Sequence, residues 1–194
     1  FKVMEETLSF TDLPSEFDGF KIVHISDVHS GSFDSVSAMQ KGLDLIQAQN
    51  ADVILFTGDL VNNLSLEFTP YIEMFKKLSA PFGKFSILGN HDYGLYVNWD
   101  SKEENLQNQR EIREHHPAMG FDLLNNVNRK IEKNGQSIRL VGVENWGRPP
   151  FPPKGDLNKA LEDIDANEFT VLMSHDPHHW DDIALKHPKH IHLT

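Results

Sequence analysis

The chain has 194 residues, 39% of them hydrophobic, and a formal net charge of −11 from 18 Lys and Arg against 29 Asp and Glu. That is enough chain for a single domain over 1–194 with a buried core, and the acidic balance argues against a broad nucleic-acid-binding surface. Cysteine is absent, which excludes disulfides and thiolate chemistry without fixing a compartment, and no apolar run is long enough to span a bilayer.

Phe1 does not begin a signal peptide, because Glu5 and Glu6 interrupt the opening, and the missing initiator fits a fragment or a processed chain. Lys2 to Phe10 reads as an edge strand, closed by Leu13-Pro14 and followed by the turn-prone Asp18-Gly19. The first apolar strand is Ile22-Val23-His24-Ile25. Asp34 is a candidate N-cap for a helix to about Gln49, on the spacing of Val36, Met39, Leu43 and Ile46. Val53 to Phe56 is the second strand. Thr69-Pro70 opens a helix carrying Tyr71, Ile72, Met74, Phe75 and Leu78, and the run Phe85 to Leu88 is the third strand.

This strand–helix alternation predicts a parallel sheet whose polar strand ends share one edge. Ser101 to His116 reads as a polar helix outside the main core, with Ser101 and Glu104 spaced as a capping box. Asn126 to Ile131 and Ser137 to Val143, around Asn134-Gly135, read as a hairpin that begins a second sheet. Trp146 to Gly155, with four prolines, reads as an ordered loop. Asp156 caps a short helix, and Phe169 to Met173 is a further strand ending at Ser174-His175-Asp176-Pro177.

The strand ends carry the chemistry. Asp27 and His29 stand two apart, so an extended segment puts both on one face, where they can chelate one ion. Gly58-Asp59 ends the second strand, Gly89-Asn90-His91-Asp92 the third, and His175 the last. Alone, Asp27-x-His29 reads as a chance pair in a loop and Asp59 as a helix-capping aspartate, whereas Gly89-Asn90-His91-Asp92 is more specific, because an amide ligand beside an imidazole is an uncommon pairing. Their agreement in order and position argues for a metal site. Oxygen and imidazole donors without sulfur suit Mn, Fe, Zn, Co or Ni. With two ions, Asp59 is the candidate bridge, Asp27 and His29 hold the first ion, Asn90 and His175 the second, and His91 is left for proton transfer.

These blocks resemble the calcineurin-like metallophosphoesterase superfamily, whose pattern runs D-x-H, G-D, G-N-H-D/E, a lone H and G-H-x-H. Asp27-x-His29, Gly58-Asp59, Gly89-Asn90-His91-Asp92 and His175 match the first four in order. Ile25 to His29, Thr57 to Asn62 and Leu88 to Tyr93 are similar to bacterial phosphohydrolases in which the catalytic domain follows an N-terminal membrane region. The resemblance implies an α/β fold, a β-sandwich of two mixed sheets flanked by helices. It also implies two divalent metal ions, a metal-bridging hydroxide that attacks a phosphoester, and His91 as proton donor. His190-x-His192 has the last block's spacing, but Lys189 stands where the family has glycine. The reading is therefore that the chain is incomplete at its C-terminal end, with Ile191 to Thr194 the strand leading to the missing loop.

The implied partner is a phosphorylated small-molecule or lipid-linked substrate rather than nucleic acid. The implied setting is a soluble domain whose parent can be membrane-anchored through a segment before Phe1. Alternatives are a metal-poor, inactive binding domain and a nuclease of the same superfamily. Tyr93, Trp146 and Arg148 are candidate substrate contacts beside Asn90, since aromatic faces and a guanidinium hold an organic group and its phosphate. His24 reads as a hydrogen-bonded core histidine, His115 and His116 as solvated, and His178 and His179 as helix-start residues.

Overall fold

The structure, a computed structural model, describes residues 1–148, 151, 153–188 and 190–194. Pro149, Pro150, Pro152 and Lys189, invoked above for the loop and for the family's glycine, lie outside them. The first sheet is parallel, in the order β1 (Ile22–Ile25), β2 (Val53–Phe56), β3 (Lys84–Ser86) and β4 (Asp122–Leu123). Parallel neighbours need crossovers, supplied by α1 (Val36–Ala48), the short α2 (Ile72–Phe75) and α3 (Lys102–Ala118).

The second sheet is mixed. Strands β5 (Val127–Lys133) and β6 (Gln136–Gly142) form an antiparallel hairpin, and β7 (Thr170–Met173) pairs with β6 in parallel after α4 (Leu157–Ala160). The hairpin turns at Asn134 and Gly135, whose φ of 49° and 83° suit a turn that matches strand twist. Helix α5 (His178–Asp182) follows β7.

Alternation along β2 assigns the layers. Ile54 and Phe56 pack with Met39 and Leu43 of α1 and Ile112 of α3, whereas Val53 and Leu55 meet Ile131, Ile138 and Leu140 of the second sheet. Behind that sheet, Val141 and Leu172 pack on Leu157 and Leu161. The result is a helix–sheet–sheet–helix sandwich. At about 1.5–3 kcal/mol per fully buried large side chain, these faces supply the main stabilisation. All four residues of β2 are buried, so its polar groups leave the core only beyond its end.

Several expectations change. Residues 1–10 form no strand. Their aromatic ends pack instead, Phe1 stacking on Phe33 and Phe10 meeting Phe169 edge-on. Ser35 rather than Asp34 caps α1, since its extended backbone lets Oγ accept the Ala38 N–H. Helix α3 does enter the core, because Ile112, His116 and Met119 are fully buried on the first sheet's outer face. His24 sits exposed on β1, bonded to Thr57 Oγ1 at 2.8 Å. No helix among the described residues is long and apolar enough to cross a membrane.

Candidate metal centre

Three strand ends converge through their backbones. The N–H groups of Asp27, His29 and Ser30 donate to the carbonyls of Gly58, Asp59 and Leu60, each at 3.0 Å, continuing the β1–β2 alignment past both strands. Asp27, His29 and Asp59 all adopt left-handed backbone, with φ of 53°, 43° and 59°, a conformation that costs non-glycine residues energy and clusters at functional sites. Gly58 and Gly89 allow the β2 and β3 ends to touch. A Cβ on Gly58 would lie 2.3 Å from Gly89 N, and one on Gly89 would lie 2.2 Å from Asp59 Oδ1.

Asp59, 2% exposed, is at the centre. Its Oδ2 lies 3.4 Å from His29 Nε2 and 3.5 Å from His175 Nε2, while Oδ1 accepts the His91 N–H at 2.9 Å. Asp27 Oδ1 is 3.8 Å from His29 Nε2. His175 Nδ1 lies 2.8 Å from the Thr57 carbonyl, which can only accept, so Nδ1 carries a proton, and in the neutral tautomer that ligates a metal the lone pair is on Nε2. That Nε2 is 2.9 Å from Asn90 Oδ1. In that neutral tautomer two lone pairs face each other there, an arrangement that a cation between them relieves.

His91 is held in the same way. Its Nδ1 donates to the Asn62 carbonyl at 2.6 Å, leaving Nε2 free, and its ring meets His29 edge-on with centroids 4.6 Å apart. Two trios have donor atoms within 4.8 Å of one another, His29 with Asp59 and His91, and Asp27 with Asp59 and His175. Asp59 belongs to both. Asp92 does not reach His91. It is fully buried, and its carboxylate accepts the N–H groups of Asp59, Leu60 and Gly89 at 2.9 Å each. Burial, then the Asp59 charge, push its carboxyl up to about 7 against those three N–H groups.

The outlying candidates separate. Tyr93, a candidate substrate contact above, is buried: it is 3% exposed, its hydroxyl donates to Glu144 at 2.7 Å, and Arg113 covers its ring. Trp146 donates to Asp182 and tilts against buried His179, so it packs the loop onto α5. Arg148 forks onto Asp182 at 2.9 and 2.6 Å. It does line a cavity of about 360 Å³ with Asn90, Asn145, Phe151, His175 and His178. A wider depression, about 520 Å³, lies beside Trp99 at the start of α3 and holds none of the strand-end residues.

His116 is fully buried rather than solvated, and His115 bonds the Ser65 carbonyl. His192 is tied to Thr170 and Asp12 where β7 begins, and so lies beside the opposite end of that strand from His175. Leu193 bridges Val171 in parallel, in keeping with the strand expected there. Tyr96 escaped the sequence reading. It stacks on His91 at 4.2 Å and bonds Asn90, and its only sequence signal is an aromatic residue shortly after the Gly89-Asn90-His91 block.

The family profile described as calcineurin-like phosphoesterase matches residues 20–192. The chain belongs to the calcineurin-like phosphoesterases. It is similar to the uncharacterized metallophosphoesterase YkuE of Bacillus subtilis, 29% identical over 187 residues that make up 94% of this chain and 58% of that protein. The UDP-2,3-diacylglucosamine pyrophosphatase LpxG of Chlamydia trachomatis is 26% identical over 214 residues, covering 88% of this chain and 63% of that one. The chain thus spans about 58–63% of the length of these two relatives.

Two solved structures share the fold. The Haemophilus influenzae NAD nucleotidase superposes with a TM-score of 0.53 at 16% identity, covering 85% of this chain and 36% of its own. The Mycobacterium tuberculosis phosphopantetheinyl hydrolase gives 0.51 at 14%, covering 87% and 73%. Calcineurin-like phosphoesterases are generally dependent on divalent metals. The donor set here fits that chemistry: carboxylate, imidazole and amide oxygen, no thiolate, and lone pairs that converge without enough protons to share.

Proposed function

We propose that this chain carries the phosphoester-hydrolysing centre of a dinuclear metal-dependent hydrolase. The observation that carries the reading is Asp59 Oδ2, approached at 3.4 and 3.5 Å by the Nε2 atoms of two imidazoles from different strand ends. Asp27 and His29 would hold one ion, Asn90 and His175 the other, with Asp59 between them. Ions bound there would supply Lewis acidity toward phosphoryl oxygens and a water of lowered pKa.

The chain's own residues do the rest. With Nδ1 fixed on the Asn62 carbonyl, the proton that protonated His91 can give to a leaving oxygen is the one on Nε2. The Thr57 carbonyl keeps His175 in the tautomer that turns its Nε2 lone pair to the site. The cavity bordered by Asn90, His175, Phe151 and Arg148 takes the rest of the substrate. A phosphorylated small molecule or a lipid-linked phosphoester suits that cavity, and the second is the chemistry that LpxG's name describes.

The test is metal content and hydrolysis of an alkyl phosphoester, whose leaving oxygen needs a proton, by the wild type, His91→Ala and Asp59→Ala. The expected result is two ions in the wild type, ions retained but turnover down roughly 10²–10⁴-fold in His91→Ala, and ions lost in Asp59→Ala. Ions lost in His91→Ala would make that residue a ligand. A wild type with neither ions nor turnover would favour a metal-poor binding domain.

A further inference from the structure

Tyr96 touches both halves of the centre. Its ring lies on His91 with centroids 4.2 Å apart and planes 18° from parallel, and its hydroxyl accepts the Asn90 Nδ2–H at 2.6 Å. The loop that carries it is fixed at two points: Tyr96 N–H donates to Asn63 Oδ1 at 3.1 Å, and Trp99 Nε1 donates to the Gly94 carbonyl at 2.7 Å. Nothing in the core requires an aromatic here, since Tyr96 is 47% exposed. A half-exposed ring held against two site residues is better explained by the site than by folding.

An asparagine amide has one end that ligates and one that cannot, and a half-turn about its last bond exchanges them. In the ligating orientation Oδ1 faces His175 Nε2 at 2.9 Å, and the opposite N–H needs an acceptor. The Tyr96 hydroxyl oxygen is that acceptor, through a lone pair at 2.6 Å from Asn90 Nδ2. The ring has a separate effect. His91 is held at Nδ1 by Asn62 and edge-on by His29, and Tyr96 closes one of its faces. A leaving group therefore cannot stack on that face.

We propose that Tyr96 is a positioning residue: its hydroxyl holds the Asn90 amide with Oδ1 toward the ion shared with His175, and its ring fixes the His91 imidazole for proton donation. This rests on the dinuclear hydrolase reading.

The two contacts separate by substitution. Tyr96→Phe keeps the stack and removes the hydroxyl, whereas Tyr96→Leu removes both. Zn²⁺ titration by calorimetry reads the metal, the Asn90 side-chain amide protons in NMR spectra of the Zn²⁺-loaded chain read the hydrogen bond, and kcat at saturating Zn²⁺ reads the acid. Tyr96→Phe is expected to weaken one of two binding steps about fivefold, the worth of one hydrogen bond, to shift the Asn90 amide protons upfield, and to keep kcat. Tyr96→Leu is expected to lose in addition about tenfold in kcat on an alkyl phosphoester and little on a nitrophenyl ester, whose leaving group needs no proton.

Unchanged Zn²⁺ affinity and unchanged Asn90 amide shifts in Tyr96→Phe would overturn the hydroxyl's role. Equal losses on both esters in Tyr96→Leu would overturn the ring's. A wild type that takes up no Zn²⁺ overturns the hydrolase reading, and this one with it.

Discussion

The Asp92 carboxylate accepts the Asp59 backbone N–H at 2.9 Å, so the residue between the two imidazoles is set in place by a buried acid from the next strand end. The same carboxylate takes the N–H groups of Leu60 and Gly89, which ties the β2 and β3 ends into one unit. Asp92→Asn offers one oxygen and an NH₂ group that would face an N–H donor. A stability loss of about 2–4 kcal/mol in urea unfolding is expected, with reduced metal uptake. Unchanged stability would show that the three bonds carry no weight.

Gly89→Ala should be more selective. Its Cβ would lie 2.2 Å from Asp59 Oδ1 and 2.8 Å from His175 Cε1, far inside contact distance, and the shift that relieves this separates Asp59 from His175. The expected result is metal uptake and turnover both lost, read by metal analysis and an aryl phosphoester assay. Gly135→Asn, at a hairpin position open to solvent and compatible with asparagine in its left-handed backbone, serves as the control and should keep both.

His116 supplies a pH prediction. It is fully buried against Phe56 with Nδ1 bonded to Ser86 Oγ, and burial, followed by the His115 and Arg113 charges, depresses it from 6.5 to about 3. The unfolded chain therefore binds the proton first as pH falls. Stability is fully present above pH 6.5 and is lost progressively down to about pH 3, a loss of about 2 kcal/mol by pH 5. His116→Phe should remove that part of the slope, as read by urea unfolding at pH 7 and pH 5. An unchanged slope would mean that His116 is charged in the folded protein.

Tyr93→Phe distinguishes packing from substrate contact. The hydroxyl bonds Glu144, which also pairs with Arg113 at 3.2 Å. Removing it should cost about 1–2 kcal/mol and leave KM unchanged. A raised KM with unaltered stability would return Tyr93 to the substrate.

The sequence by itself determined five of the strands of the two sheets besides the third, the crossovers and the position of the polar residues at strand ends. The bounds of the third shift to Lys84–Ser86, the edge strand expected at Lys2 to Phe10 does not form, and β4 had no sign in the sequence. Apolar runs such as Val53 to Phe56 and the glycines that break them are local signals. It also carried the family, because Asp27-x-His29, Gly58-Asp59 and Gly89-Asn90-His91 lie in short contiguous blocks. The tertiary structure decided what depends on facing atoms far apart in the chain. It turned Asp92 onto the Asp59 loop, buried Tyr93 and His116, made Ser35 the cap, and brought Tyr96 onto His91. It also placed His175 beside Asn90 and kept His192 beside the other end of β7. Periodicity states which face a residue shares with its neighbours in sequence. Which backbone group or ring meets it there is set by the packing of the two sheets and their loops.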